Sequence, residues 1–236
     1  MSAFQLHQLF PTAVATVQLA LDPLELAGYL QDLLVLRGAA TGNPTDGCAW
    51  TGDINGVWQL HRQPGFLDLA SLVTAQAWHY LDATGFDRQR IALHLQRCWP
   101  VLSECGQVVG RHHHPNAHLS AVLYLTGDGS GTAGDLCLHH PQQLNELVPG
   151  LAVGHGGPID AVHPCNQSQW TITPRAGLLL FFPSRLDHSV LENLDPDVLR
   201  VSLSFDFVLT SSALSPPAEY LSPHPQDWQH CSRPMP

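Results

Sequence analysis

Three consecutive histidines, His112, His113 and His114, stand just ahead of a run in which polar and aliphatic residues alternate. His118, Ser120, Val122 and Tyr124 fall on one side of that run, and Leu119, Ala121, Leu123 and Leu125 on the other. Strand side chains repeat every two residues, so one face carries an imidazole and hydroxyls while the other is wholly aliphatic. The same period turns His112 and His114 to one side and His113 to the other. Two imidazoles side by side at the mouth of a half-polar strand are a natural pair of metal ligands. Two later segments carry similar chemistry. His188 follows an apolar run, Leu178 to Phe182, and a turn at Pro183-Ser184. Beyond it Arg200, Ser202, Ser204 and Asp206 share one face of a strand whose other face is Val201, Leu203, Phe205 and Phe207. An arginine among serines suits an anion, because a guanidinium grips a carboxylate in bidentate fashion.

The composition excludes several other chemistries. The positive residues are all arginines, and the formal net charge is −10. Without lysine there is no Schiff-base nucleophile and no phosphate-loop lysine. A nucleic-acid partner needs clustered positive charge, so none is expected. No apolar run of membrane-spanning length occurs, and the N-terminus lacks a basic segment ahead of an apolar one, so neither a membrane association nor a signal peptide is expected. Cys48, Cys98, Cys105, Cys137, Cys165 and Cys231 form no close pair; they read as buried reduced thiols, with a cytoplasmic location as the corresponding expectation. Fifteen histidines are the one compositional sign of metal chemistry.

The elements that must position these residues follow from pattern. Residues 4–20 suggest a lead-in strand. Asp22-Pro23 opens a helix with Leu24, Leu26, Ala27, Leu30, Leu33 and Leu34 as its apolar stripe, ending at Gly38. Residues 38–57 are turn-rich. A second amphipathic helix runs from Phe66 to Leu81, stopped by Gly85. After residue 90 the period becomes two: Ile91, Leu93, Leu95 and Arg97 alternate with Ala92, His94, Gln96 and Cys98, ending at Trp99-Pro100. Short strands follow at 118–125, 135–138, 169–174, 178–182, 187–191 and 199–209, separated by turn signals. Residues 139–167 form a polar insertion with little periodicity. Many short strands of this kind suggest an antiparallel sandwich or jelly roll.

Taken together, H-x-H-P-N-x-x-L-S from His112, an apolar strand ending in Tyr124, P-x-x-G-x-L-L-x-F-P-S-x-L-x-H-x-V through His188, and R-x-S-x-S-F from Arg200 resemble the iron(II)- and 2-oxoglutarate-dependent oxygenases. The similarity is greatest to a bacterial 2OG-Fe(II) oxygenase group related to aspartyl/asparaginyl β-hydroxylases, and it extends over roughly residues 8–208, from Leu9-Phe10-Pro11-Thr12 onward. It implies a mainly β fold: a double-stranded β-helix, a jelly-roll or cupin-like barrel, with N-terminal helices packed outside. The domain organisation expected is a single oxygenase domain over 1–210, with helical elements in 1–88 and the β core in 89–210, followed by a Pro/Ser-rich tail, 211–236. The resemblance makes His112 and His188 iron ligands. It makes Arg200 the anchor of the far carboxylate of 2-oxoglutarate, with Ser202 beside it. Ser120 and Tyr124 share the inward face by alternation and are candidates for the same pocket. The implied cofactors are Fe(II), 2-oxoglutarate as cosubstrate and O2. The implied reaction hydroxylates a C–H bond of an amino acid, peptide or small metabolite with release of succinate and CO2.

One position departs from the family pattern. Most of these oxygenases hold iron with two histidines and one carboxylate, and where the carboxylate belongs this chain has His114. Either His114 is the third ligand, or it lies behind a ligand with water in the third place; Asp135 and Asp187, the nearest carboxylates in sequence, are favoured by neither spacing nor alternation. Two other functions compete: a three-histidine cupin-type dioxygenase that uses no 2-oxoglutarate, and a non-catalytic cupin-like binding protein. The pattern is silent on oligomeric state.

Overall fold

In the computed structural model, residues 11–40, 42, 45–141, 160, 162–163, 166–217 and 221–231 are described. Asp22 caps helix α1 (Pro23–Ala39): its carboxylate accepts from the backbone N–H groups of Leu24 and Glu25, with Pro23 at the first helical position. Helix α2 (Leu67–Ala83) buries Leu69, Val73, Ala77 and Tyr80 at helical spacing. The buried stripes are narrower than expected, because Leu24 and Leu34 of α1 and Leu67 and Leu72 of α2 stay exposed.

Among the described residues ten strands follow in order, β1 (Ala15–Gln18), β2 (Trp50–Thr51), β3 (Ile91–Ser103), β4 (Val109–His112), β5 (Leu119–Tyr124), β6 (Leu136–His139), β7 (Gln169–Ile172), β8 (Leu178–Pro183), β9 (His188–Val190) and β10 (Arg200–Ser211). They form two sheets, a six-stranded one ordered β1-β8-β5-β10-β3-β2 and a four-stranded one ordered β4-β9-β6-β7. The expected double-stranded β-helix, a closed jelly-roll barrel in a mainly β fold, is therefore not found. Both sheets are open, no ladder among the described residues joins them, and with two helices the fold is mixed α/β. The edges explain the openness: β2 has two residues and β7 four, too short to carry a ladder around a corner.

Alternation along β5, β8 and β10 sorts their side chains between two cores. Leu119, Ala121 and Leu123 of β5, Leu179 and Phe181 of β8, and Val201, Leu203, Phe205 and Phe207 of β10 face the helices and pack with Leu69, Val73 and Ala77. Val122, Tyr124, Leu180 and Phe182 face the other way and meet Leu136, Leu138, Ile172 and Val190 of the small sheet. Each fully buried Leu or Phe contributes roughly 1.5–3 kcal/mol, so the large sheet is fixed from both sides. Strand β3 passes through Pro100, where a strand end was expected, and the Pro100 carbonyl accepts from the Gly52 N–H at 2.8 Å. Asp206 of β10 pairs with Arg97 but Phe207 pairs with Leu95, a bulge that leaves one extra residue on β3.

The turn-rich stretch 38–57 contains β2 and a 3-10 turn at Asp53–Asn55. Of the lead-in strand expected over 4–20, β1 is present; residues 1–10, including Leu9 and Phe10, lie outside the described residues, as do 142–159 of the insertion. The tail over 221–231 wraps the surface: Ser211 donates its N–H to the Ser222 carbonyl, and His224 lies 5.3 Å from His94, ring to ring. Cys98 and Cys137 are buried and free as expected, whereas Cys105 and Cys231 are exposed; Cys165 is outside the described residues. No helix among the described residues is long and apolar enough to cross a membrane.

Candidate metal centre

His112 ends β4 and His188 begins β9, and the two are directly opposed across the ladder. His114 follows two residues later, held by its own N–H on the Ser184 carbonyl at 2.9 Å. The three rings converge, with centroids 4.3 Å apart for His112 and His188, 4.9 Å for His114 and His188, and 5.3 Å for His112 and His114. One nitrogen from each lies within 4.8 Å of the others. Every Nδ1 of the three is already engaged. That of His112 lies 2.8 Å from the Gly110 carbonyl and that of His188 2.9 Å from the Leu186 carbonyl. That of His114 is 2.6 Å from Asp206 Oδ1. A carbonyl oxygen only accepts, so Nδ1 carries the proton in His112 and His188, and Nε2 keeps its lone pair for the shared centre. Burial and the neighbouring His112 push the His188 imidazole down to about 3. Burial also lowers that of His112. Neutral imidazoles with free Nε2 lone pairs are the donor set a divalent transition metal takes.

No carboxylate among the described residues joins this group. Asp187 accepts from Arg111 and lies 3.1 Å from His113, which points away from the triad. Asp135 accepts from Thr173. His118 is structural: its Nδ1 accepts from the Leu209 N–H at 2.9 Å.

The triad opens on a cavity of about 380 Å³ whose wall includes Trp99, Val101, Val122, Arg200, Ser202 and Ser204. Arg200 is 1% exposed. Its Nε donates to the Gly134 carbonyl at 3.0 Å and its Nη1 to Ser202 Oγ at 3.1 Å, while Nη2 makes no well-formed hydrogen bond. The guanidinium carbon stands 5.1 Å from the Tyr124 ring, and the fully buried Tyr124 hydroxyl likewise makes no well-formed hydrogen bond. Tyr124 does not line the cavity, and its hydroxyl and the guanidinium interact with each other. Buried donors are nearly always satisfied, so the Nη2 that Arg200 leaves without a well-formed hydrogen bond at the cavity wall marks a place for an acceptor from outside the chain. Ser120 does not line the cavity. Its hydroxyl donates to Asp206 Oδ1 at 2.8 Å and meets Ser184 Oγ at 2.8 Å, behind His114.

Two residues at this centre escape sequence reasoning. Asp206, on the face shared with Arg200, pairs instead with Arg97, Nη2 to Oδ2 at 2.5 Å, and with His114. Burial alone would raise the Asp206 carboxyl, but hydrogen bonds from His114, Arg97 and Ser120 hold it below the usual carboxylate range. Arg97 lines the cavity over Trp99, 4.7 Å from its ring, and Trp99 lies 5.4 Å from His114. Strict alternation puts Arg97 on the same face as Ile91, Leu93 and Leu95; the bulge turns it to the opposite one. Only an irregularity in a pairing partner reveals that, and the sequence of β3 carries no sign of it.

Comparison with solved structures gives likenesses at low identity. The chain is similar to the non-heme alpha ketoglutarate-dependent epimerase SnoN from nogalamycin biosynthesis (TM-score 0.59, 17% identity, 92% of this chain and 92% of that one). It is similar to a Pseudomonas putida prolyl-4-hydroxylase (TM-score 0.53, 15% identity, 84% and 92%). It is also similar to HygX from Streptomyces hygroscopicus, solved with nickel and 2-oxoglutarate bound (TM-score 0.52, 16% identity, 84% and 83%). At such identities the likeness concerns the fold. No curated protein sequence matches the chain. Residues 97–206, which hold the three histidines, Arg200 and Asp206, match the family described as "Putative 2OG-Fe(II) oxygenase".

Proposed function

We propose that this chain is an iron(II)-dependent oxygenase whose metal is held by His112, His114 and His188, and whose cavity takes 2-oxoglutarate with a carboxylate against Arg200. The observation that carries the reading is the convergence of three imidazoles, each with its Nδ1 engaged, on one wall of a cavity whose depth holds a buried guanidinium with an unused donor. Three neutral ligands leave the metal's charge undiminished, which strengthens attraction for a dianion. Arg200 and Ser202 bind and orient the far carboxylate, and the Tyr124 hydroxyl interacts with the guanidinium. Val101, Val122 and Val190 exclude water from the space between. The chemistry such a centre supplies when loaded is activation of dioxygen coupled to decarboxylation of the oxoacid to succinate and carbon dioxide, with oxidation of a C–H bond. A cavity of this size suits an amino acid, a short peptide segment or another small metabolite.

The ligand set itself favours a second reading, a three-histidine dioxygenase that needs no 2-oxoacid, since no carboxylate among the described residues completes the usual triad. Arg200 is what that reading leaves unexplained. Oxygen uptake by iron-loaded protein with and without 2-oxoglutarate separates the two. Stimulation with stoichiometric succinate supports the first reading, and uptake indifferent to 2-oxoglutarate establishes the second. A purified anaerobic sample that takes up no iron would leave only a binding module.

A further inference from the structure

We propose that Asp206 is a positioning residue of this centre, fixing His114 in the tautomer and orientation that present Nε2 to the metal. The inference rests on the metal reading above and adds to it the carboxylate that the ligand set lacks, placed one side chain further out. His112 and His188 are oriented by carbonyls two residues before them, an arrangement the local chain makes for itself. His114 has no carbonyl of that kind; the one local oxygen near its Nδ1 is the Ser120 hydroxyl at 3.0 Å, which itself donates to Asp206. The same Nδ1 meets a carboxylate from a strand 92 residues away. That carboxylate is fully buried and saturated: Oδ1 accepts from His114 and Ser120, and Oδ2 accepts from Arg97. Ser120 is tied in turn to Ser184, whose carbonyl holds the His114 N–H. Backbone and ring of His114 are thus clamped by one network, and Arg97 prevents the carboxylate from turning. Outer partners of this kind set the tautomer and basicity of a metal-bound histidine.

The arrangement makes Asp206→Asn informative. The amide must offer oxygen to one neighbour and nitrogen to the other. Arg97 is a donor in every state, so the oxygen goes to Arg97 and the NH2 faces His114. Nδ1 must then accept, the proton moves to Nε2, and the lone pair intended for the metal is lost. An aspartate-to-asparagine change that imposes the wrong histidine tautomer is a known way to disable a site without changing its shape.

The test uses the full chain and cobalt(II) as the probe, with affinity read by calorimetry and coordination by the visible spectrum. Asp206→Asn is expected to bind cobalt about 10- to 100-fold more weakly than the parent. Asp187→Asn, which removes the same charge beside His113, is expected to bind it equally well. Nitrogen-15 spectra of the metal-free parent protein are expected to show His114 protonated at Nδ1 and bare at Nε2. Parent protein that binds cobalt together with an Asp206→Asn variant of unchanged affinity overturns this proposal alone. So does a metal-free parent with the His114 proton on Nε2, a measurement that stands even if the variant does not fold. A parent protein that takes up no cobalt overturns the metal reading and this proposal with it.

Discussion

Replacing Arg200 with methionine separates a residue kept for binding from one kept for stability. The side chain is buried, makes hydrogen bonds only to the Gly134 carbonyl and Ser202 Oγ, and leaves Nη2 idle. Its removal deprives the Gly134 carbonyl of a donor, a cost of about 1–3 kcal/mol, and forfeits the contact over Tyr124, worth about 1–2 kcal/mol when desolvated. Against this stands relief of the desolvation penalty of a buried cation, several kcal/mol. The terms offset, so the variant without ligand is expected to melt within about 2–4 °C of the parent, a change of about 1 kcal/mol. A residue in a completed buried ion pair would instead cost roughly 3–5 kcal/mol on losing its partner. Ligand reverses the picture. With manganese(II) as an inert metal and 2-oxoglutarate at about a hundred times its dissociation constant, the parent gains about 2.7 kcal/mol, or roughly 5–11 °C in a domain of this size. Losing a buried charge partner costs the ligand about 2–5 kcal/mol, a drop of roughly 30-fold or more. At the same concentration the variant then gains at most about 0.9 kcal/mol. Thermal melts with and without 2-oxoglutarate decide the matter. A variant destabilised by more than about 3 kcal/mol would make Arg200 a structural keystone, and an undiminished ligand shift would remove it from the pocket.

Three further outcomes follow from the same geometry. His188→Ala is expected to abolish high-affinity metal binding and succinate formation together, and a chelator should lower the melting temperature of the metal-loaded parent while leaving that of this variant unchanged. Gly134→Ala places a methyl 2.7 Å from the Leu191 carbonyl on a backbone with φ of +79°. It should destabilise by roughly 2 kcal/mol or more and weaken 2-oxoglutarate binding, because the same residue's carbonyl holds Arg200; urea denaturation and ligand titration check the two effects separately. Asp22→Ala removes the cap of α1 and should cost about 1 kcal/mol in urea denaturation while leaving metal affinity unchanged.

Where side chains follow a strict period, the sequence was readable. The separation of Ser120, Val122 and Tyr124 from Leu119, Ala121 and Leu123 is what the two cores use, and the pairing of His112 with His114 rather than His113 is what the rings show. The cap at Asp22-Pro23 was legible because its chemistry is local. What escaped is non-local. The extra residue on β3 rotates Arg97 from the helix side to the cavity side, and Asp206 acquires its role from that rotation, so neither partner can be inferred from its own strand. Ser120 lies on the face expected of it, yet Asp206 and Ser184 claim its hydroxyl before a cosubstrate could. Openness of the sheets is similarly a property of edges, which a list of strands does not reveal. In α1 the apolar residues outnumber the positions that find a neighbour, so the stripe overstates the burial.

The opposition of His112 and His188 across the β4–β9 ladder has a mechanical side. Strand β4 is four residues long, borders the small sheet, and meets β9 in an irregular register between Val109 and His112. Such a margin frays readily on its own. A cation gripping both strands would rivet the margin in place, slowing solvent exchange of the amides around Gly110 and Arg111. Loading the centre and finishing the sheet would then be one event, and the emptied protein would show it first as a loosened hem rather than a lost core.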